Sequence, residues 1–186
     1  MLTNPLVKSL VSTSLAKYLT GGAFLGRNYI DLDSTASAHY LLAKPKVFAG
    51  DFEIGVTFST TSISFQYLSG VTTGFNDYIA LRGSNSRIEV RIGGGSVLIF
   101  EPPTLTDGKF HSLVVRRVAG VPFAIVDGVN YPEVAAATNV DALNLGLFGQ
   151  NAASGYFDGI ISQVNLTDLT TPANSEYYRL NSLTKE

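Results

Sequence analysis

Apolar and polar residues alternate along three stretches of the chain, and this period of two predicts β-strands. Within residues 52–58 every second position is Phe, Ile or Val, and the positions between them are polar or small. Residues 63–67 and 87–92 alternate in the same way. Strands with this pattern are half-buried, with the apolar side chains facing a core and the polar ones facing solvent.

Turn sequences separate further short apolar stretches, each of which predicts another strand. These strands are expected near residues 29–33, 40–43, 78–82, 97–100, 110–118, 122–126, 143–148 and 156–166. Asp-Gly and Gly-Gly pairs stand between several of them, and such pairs favour tight hairpin turns that need a positive φ angle. About ten short strands at regular spacing, without helices between them, predict an antiparallel sandwich or barrel and not a parallel α/β sheet.

The two ends of the chain do not follow this alternation. Residues 1–26 place Leu and Val at i, i+4 spacing before Gly21-Gly22, which predicts either a short helix or an extended arm that packs on a neighbour. The stretch from Asn174 to Glu186 likewise predicts one short helix or an arm. The expected division is an N-terminal arm or helix over 1–27, a β-sandwich over 28–170 and a C-terminal tail over 171–186.

Composition narrows the classes of function. A chain of 186 residues has the length of one domain and can bury a core without disulfides. The net charge of −2 argues against nucleic acid as a partner, because a phosphate binder needs a basic surface. The absence of Cys excludes disulfides and thiol nucleophiles. No apolar run reaches the ~20 residues that a membrane-spanning helix needs, and the N-terminus lacks a signal-peptide pattern.

Five segments, in their order along the chain, resemble the laminin-G-like family of β-sandwich domains. They are residues 48–58, 77–93, 105–117, 123–128 and 155–166. The most specific of them has an Asp-Gly turn at 107–108, then an aromatic residue, His111 and an alternating strand. The resemblance implies an all-β, antiparallel two-sheet jelly-roll sandwich of the concanavalin A type. It implies little about the ligand, because this fold serves lectins, adhesion modules, glycosidases and structural domains.

Two positions depart from the family pattern. Phe110 stands where the family usually has Trp, and Ile160 stands close to where animal members often have Cys. Together with the missing signal peptide and the two flanking segments, these departures favour a phage or bacterial relative over an animal matrix protein.

Enzymatic chemistry finds little support in the sequence. Sandwich glycosidases need two carboxylates that flank the scissile bond, and here the glutamates of the predicted sandwich stand apart from other acids at strand spacing. These are Glu53, Glu89, Glu101 and Glu133. The chain has two histidines, and the resemblance gives His111 a structural role at the start of a strand. We therefore expect a protein that is not an enzyme.

Calcium is the one cofactor that the resemblance suggests. Calcium-binding relatives carry an Asp just before the strand that matches residues 78–82, and Asp77 takes that place. Asn151 is the candidate for a second ligand, although amides are weaker calcium ligands than carboxylates. Asp and Asn are also the expected residues of ordinary turns, so the alternative is that no metal binds.

A carbohydrate site would present aromatic rings and amides on a loop rim or a sheet face. The candidates are Tyr67, Phe75, Asn76, Tyr78, Tyr131, Asn151 and Tyr156. The alternative is that most of these rings belong to the core. The chain has no Trp, which is the strongest platform for stacking sugars.

Taken together, the sequence predicts a non-enzymatic structural or decoration protein of a phage capsid or tail, located in a virion or outside the cell. Its partners would be other proteins of the assembly or further copies of itself, with glycan or cell-surface adhesion as an added role at the loop rim. The flanking segments favour this reading because arms add contact area between subunits. The alternative is a bacterial carbohydrate-binding or adhesion module, with or without calcium, and a glycosidase or lyase comes third.

Overall fold

A computed structural model describes most of the chain as β-strands. The described residues are 30–32, 40–71, 74, 76–132, 139–151 and 155–179. The predicted N-terminal helix or arm over 1–27 lies outside the described residues. No helix among the described residues is long and apolar enough to cross a membrane.

The strands form two antiparallel sheets. The seven-stranded sheet contains β1 (Ile30–Leu32), β3 (Phe52–Ser59), β8 (His111–Val118), β9 (Val121–Val126), β10 (Val129–Pro132), β12 (Gly159–Asp168) and β13 (Glu176–Arg179). The six-stranded sheet contains β2 (Tyr40–Phe48), β4 (Phe65–Gly70), β5 (Tyr78–Arg82), β6 (Arg87–Arg91), β7 (Leu98–Phe100) and β11 (Leu143–Phe148). Single 3₁₀ turns lie at Gly83–Asn85 and Pro172–Asn174. The all-β sandwich expected from the alternation is confirmed.

The order of strands brings distant parts of the chain together. The seven-stranded sheet runs β1-β12-β3-β8-β9-β10, with β13 also paired to β12, and the six-stranded sheet runs β2-β11-β4-β5-β6-β7. Strand β12, near the end of the described chain, therefore lies beside β3, with Ile161 opposite Phe58 and Leu166 opposite Ile54. Such long-range pairing follows from the two-sheet topology and cannot arise from local hairpins alone.

The core lies between the sheets, where the predicted apolar positions meet. In β3 the residues Phe52, Ile54, Val56 and Phe58 are buried, and the residues between them are only partly buried. Phe58 meets Phe157 edge to face, with the ring centroids 5.9 Å apart. Burying a side chain of this size contributes about 1.5–3 kcal/mol, so the alternating strands supply most of the driving force for packing the two sheets.

Two hairpins of the seven-stranded sheet have the turns that their sequences predict. Ala119 and Gly120 have φ angles of 50° and 77°, and Asp127 and Gly128 have 50° and 82°. Positive φ at both central residues is the geometry of type I′ turns, whose twist matches that of the flanking strands. These turns set the register of β8, β9 and β10, including Val118 opposite Val121.

The C-terminal tail folds differently from the prediction. A short helix or an arm was expected after residue 174, but residues 176–179 form β13, which pairs with β12. The chain turns back because the Asp168 carboxylate accepts hydrogen bonds from the backbone N–H groups of Thr170 and Thr171, at 3.0 and 2.7 Å. Part of the predicted tail therefore extends the sheet. Strand β10 was also not predicted, and β2 is longer than the expected 40–43.

The described chain begins and ends at neighbouring positions of one strand. Ile30 of β1 lies opposite Ile161, and Arg179 of β13 lies opposite Gln163, both on β12. Both β1 and β13 occupy the same edge of β12 because its other side pairs with β3. The segments that flank the sandwich are thus joined to it at one place on the edge of the seven-stranded sheet.

Candidate binding site at one end of the sandwich

A cleft of ≈ 270 Å³ opens at the end of the six-stranded sheet where β4 ends and β5 begins. It is lined by Pro45, Val71, Asn76, Asp77, Asn144, Leu145 and Gly146. These residues come from β2, from the β4–β5 connection and from β11, which meet here because β11 lies between β2 and β4. The lining thus combines two amides and a carboxylate with apolar side chains.

Asp77 braces the wall of the cleft. Its side chain is buried, and its Oδ1 accepts a hydrogen bond of 2.6 Å from the backbone N–H of Gly93, in the turn after β6. Its Oδ2 accepts a second bond of 2.8 Å from the Asn144 amide on β11. A buried carboxylate is costly unless such donors compensate for lost water, so both bonds are needed to keep it there. Asp77 therefore ties β6 and β11 to the start of β5.

Arg117 joins the loop that contains Gly50 to the loop that contains Asp141, at the same end of the sandwich as the cleft. It is only 1% exposed, and its guanidinium donates hydrogen bonds to the backbone carbonyls of Gly50 and Asp141. Its charged group also lies 4.9 Å from the centroid of the Phe52 ring. Burial lowers the pKa of Arg117, with nearby carboxylates acting in the opposite direction. A buried guanidinium suits this role because it offers five donors in a fixed plane.

Asn151, the predicted second calcium ligand, supports the cleft from behind and does not line it. Its Oδ1 accepts a hydrogen bond of 3.0 Å from the backbone N–H of Val71, which is a lining residue. The side chain is fully buried and packs on Gly70, where an added Cβ would lie 2.5 Å from the Asn151 Oδ1. The structure thus gives Asp77 and Asn151 separate hydrogen-bond partners.

The residues present at Asp77 do not fit a calcium ion. Calcium takes six to eight oxygen ligands, and Asp77 is the one carboxylate in the lining. Each of its oxygens already accepts a bond from an N–H donor, so the charge of the carboxylate is partly compensated without a cation. Over the described ranges no three His, Asp or Glu side chains come together as a metal site.

Two of the aromatic candidates pack against each other on the outer face of the six-stranded sheet. Tyr67 and Tyr78 are 9% and 7% exposed, and their rings meet edge to face at 5.2 Å. Phe65 adds a second such contact with Tyr67, at 5.0 Å. Burial raises the pKa of both tyrosines, as expected for hydroxyl groups held away from water. These rings offer little surface to a ligand.

The remaining candidates lie apart from one another. Tyr131 is half-buried in β10, where it packs on the core of the sandwich. Tyr156 is half-buried, and its hydroxyl accepts a weak hydrogen bond of 3.4 Å from Gln150. Asn76 is exposed and lines the cleft, whereas Phe75 lies outside the described residues. Of the predicted set, only Asn76 and Asp77 are among the lining residues.

Sequence reasoning missed Asn144 as a member of this site. It stands in β11 between Leu143 and Leu145, which are both core residues, so it points to the opposite side of the sheet. A single amide within an alternating Leu-x-Leu strand is an ordinary outward-facing residue. Its importance follows from its contact with Asp77, which is 67 positions away along the chain.

Comparisons with known proteins identify the fold. No family model and no curated protein matches the chain. Among solved structures, the LG4-5 domains of the mouse laminin α1 chain match with a TM-score of 0.57 and 20% identity, over 77% of this chain and 40% of that one. The native heptameric SAP-like pentraxin of Limulus polyphemus matches with a TM-score of 0.55 and 10% identity, over 77% of this chain and 72% of that one.

A bacteriophage protein has the same fold. The enzymatically active domain of bacteriophage CBA120 tailspike protein 2 matches with a TM-score of 0.58 and 14% identity, over 84% of this chain and 30% of that one. The chain thus spans less than half of the laminin and tailspike chains to which it is similar. At these identities the likeness shows the fold, which is the antiparallel β-sandwich found in laminin G domains and pentraxins.

Proposed function

We propose that the chain is a non-catalytic adhesion module that binds carbohydrate in the cleft at Asp77. The cleft itself carries this proposal. The amides of Asn76 and Asn144 can both donate and accept hydrogen bonds, which suits the hydroxyl groups of a sugar. Pro45 and Val71 supply apolar surface for the C–H face of the ring. The hydrogen bonds of Asp77 to Gly93 and Asn144 hold these groups in place before a ligand arrives, which lowers the entropic cost of binding.

The size and charge of the cleft favour a neutral sugar. At ≈ 270 Å³ it is smaller than the roughly 300–1,000 Å³ of pockets for drug-sized ligands, so one ring or the end of a glycan chain would fill it. Neither Lys nor Arg is among its lining residues, and Asp77 contributes a negative charge. Sulfated or carboxylated sugars would meet repulsion here, while hydroxyl groups would find acceptors.

A glycan array probed with the full chain tests this proposal, followed by calorimetric titration of any glycan retained. The variant Asn76→Ala removes an exposed lining amide, and a loss of affinity of about tenfold, or about 1.4 kcal/mol, is expected. Asn130→Ala is the matched control because Asn130 is an exposed amide on β10, in the other sheet. Equal affinity of Asn76→Ala and the unchanged protein, or no retained glycan, would count against the cleft as the site.

We further propose that the module acts as a structural or decoration subunit of a larger particle, such as a phage capsid or tail. The likeness to a phage tailspike domain supports this context, as does the attachment of both flanking segments at one place on β12. Light scattering of the full chain and of a version lacking residues 1–26 is the test. An oligomer that becomes a monomer on truncation is expected, whereas a monomer in both cases would favour a free-standing adhesion module.

A further inference from the structure

His111, the first residue of β8, faces a carboxylate at each of its ring nitrogens. Its Nδ1 lies 2.8 Å from Asp127 Oδ2, and its Nε2 lies 2.9 Å from Asp107 Oδ1. An ionised carboxylate can only accept hydrogen bonds, and a neutral imidazole has a single N–H to donate. Both contacts can therefore be hydrogen bonds only when the ring is the doubly protonated imidazolium.

The two carboxylates are themselves held in place. Asp127 Oδ1 accepts a bond of 2.8 Å from the backbone N–H of Ser112, and the Asp127 N–H donates a bond of 2.9 Å to the Ser112 carbonyl. Asp107 Oδ1 accepts a bond of 2.9 Å from the backbone N–H of Lys109, whose Nζ lies 3.0 Å from Asp107 Oδ2. On the other side, β3 presents the apolar ring of Phe58 to His111. Because of these bonds, the carboxylates cannot easily turn away from the imidazole.

The three side chains join two separate turns to one strand. Asp107 belongs to the connection between β7 and β8, and Asp127 belongs to the type I′ turn between β9 and β10. Gly108 links the turn that contains Asp107 to the end of β3, because its N–H donates a hydrogen bond of 3.1 Å to the Thr60 carbonyl. Phe110, next to His111, is 51% exposed at this end of the sandwich. We call His111, Asp107 and Asp127 the histidine clamp.

We propose that the histidine clamp is a pH-sensitive lock, which holds the two turns while the imidazole is protonated and releases them when it loses its second proton. Deprotonation removes one of the two hydrogen bonds and leaves a ring nitrogen lone pair facing a carboxylate oxygen. That arrangement is repulsive, so one turn must move or admit water.

The electrostatics agree with this geometry. Burial opposes the charged ring, but the hydrogen bonds to Asp127 and Asp107 outweigh it and raise the pKa of His111. The pKa of Asp107 is lowered by the backbone N–H and side chain of Lys109 and then by His111. The pKa of Asp127 is also lowered, because hydrogen bonds from His111 and Ser112 outweigh its burial. The lock is therefore closed at mildly acidic pH and opens as the pH rises through the raised pKa of His111.

Nuclear magnetic resonance of the full chain, labelled at the imidazole nitrogens, tests the protonation state directly. The chain has two histidines, so the variant His39→Gln assigns the spectrum. His111 is expected to carry both protons at pH 6.5 and to titrate with a midpoint above the ordinary His value of about 6.5. A neutral His111 at pH 6.5, or a midpoint at or below that value, would overturn the proposal.

Hydrogen exchange of the backbone amides then tests the release of the turns. The amides of Lys109 and Ser112 donate to the clamp carboxylates, and their protection, corrected for intrinsic exchange rates, should fall across the His111 midpoint. The expected fall is about tenfold for each pH unit by which the midpoint is raised. The Gly93 amide, bound to Asp77 at the other end, is the internal control and should not change.

The clamp variant Asp107→Asn/Asp127→Asn separates a switch from a merely structural contact. It keeps His111 but removes both charges, so the His111 midpoint should move down toward its ordinary value. The pH-dependent change in protection should disappear at the same time. Protection that is flat with pH in the unchanged protein, or a fall that persists in this variant, would show that the clamp does not control the turns.

Discussion

Both ends of the sandwich contain a carboxylate that is held by hydrogen bonds, but they differ in whether polar groups beside it remain exposed to solvent. At one end His111 is enclosed by Asp107 and Asp127, and its ring nitrogens face carboxylates of the same protein. At the other end Asp77 is satisfied by Gly93 and Asn144, yet an open cleft remains in front of it. The clamp therefore uses its polar groups on one another, whereas the cleft keeps lining groups, such as the exposed Asn76, that face solvent.

The end with the cleft depends most on one buried side chain. The substitution Arg117→Met should lower the free energy of unfolding by about 3 kcal/mol, because two partly buried carbonyls lose the charged donor that a buried side chain supplies. Denaturant unfolding measures this. Arg116→Met is the matched control, since Arg116 precedes Arg117 on β8 and belongs to a weak, partly exposed ion pair. A change within about 0.5 kcal/mol is expected for the control. Equal effects of both substitutions would contradict the anchoring role of Arg117.

Asp77 comes next in expected effect. The substitution Asp77→Asn keeps the shape of the side chain but sets an amide N–H against one of the two donors that the carboxylate now accepts. A loss of about 2 kcal/mol in unfolding free energy is expected, together with weaker glycan binding. Asp158→Asn, at an exposed residue of the other end, serves as the control and should change little. An unaltered stability of Asp77→Asn would show that the hydrogen bonds of Asp77 to Gly93 and Asn144 are not needed for the stability of the fold.

The histidine clamp should make stability depend on pH. Because the pKa of His111 is raised in the folded state, its contribution is complete below the unfolded value of 6.5 and is lost as the pH rises through the folded value. The lowered pKa values of Asp107 and Asp127 mean that their contribution is complete above the unfolded value of 3.8 and is lost toward stronger acid.

The difference in melting temperature between the unchanged protein and His111→Gln should therefore be largest between about pH 4 and 6.5 and should shrink by pH 9. Thermal unfolding over this pH range is the measurement. Asn76→Ala, at the cleft end of the sandwich and away from the clamp, controls for changes that affect the whole protein. A difference that grows with alkalinity would reverse the sign that the geometry requires.

Calcium should have the smallest effect. Because the donors around Asp77 do not suit a cation, millimolar calcium and a chelator should give the same melting temperature, both in the unchanged protein and in Asp77→Ala. Differential scanning calorimetry is the measurement. A calcium-dependent rise that Asp77→Ala abolishes would restore the metal site expected from the family resemblance.

Local patterns predicted much of this fold, and long-range contacts account for what they missed. The alternation in β3 and the Asp-Gly turn at 127–128 are visible in a few consecutive residues, and both were predicted correctly. Strand β13 was missed because it forms only when Asp168 turns the chain back onto β12. No periodicity within residues 174–186 carries that information.

The candidate site shows the same limit. Asp77 was selected from a local motif, but the role of its carboxylate depends on Gly93 and Asn144, which are 16 and 67 positions away. Tyr67 was predicted as a ligand contact, yet its N–H binds the carbonyl of Gly155, which brings that residue onto the tyrosine ring. A sequence identifies the polar and aromatic residues, but the topology decides which of them meet a ligand.

The position of Ile30 and Arg179 on β12 has a consequence for engineering. Their partners, Ile161 and Gln163, are two residues apart, which corresponds to about 7 Å along a strand. A domain whose ends are this close can be inserted into a surface loop of a host protein without forcing the loop open. We therefore expect that residues 30–179 can be inserted as one unit into an unrelated host protein, and that the cleft and the histidine clamp keep their geometry there.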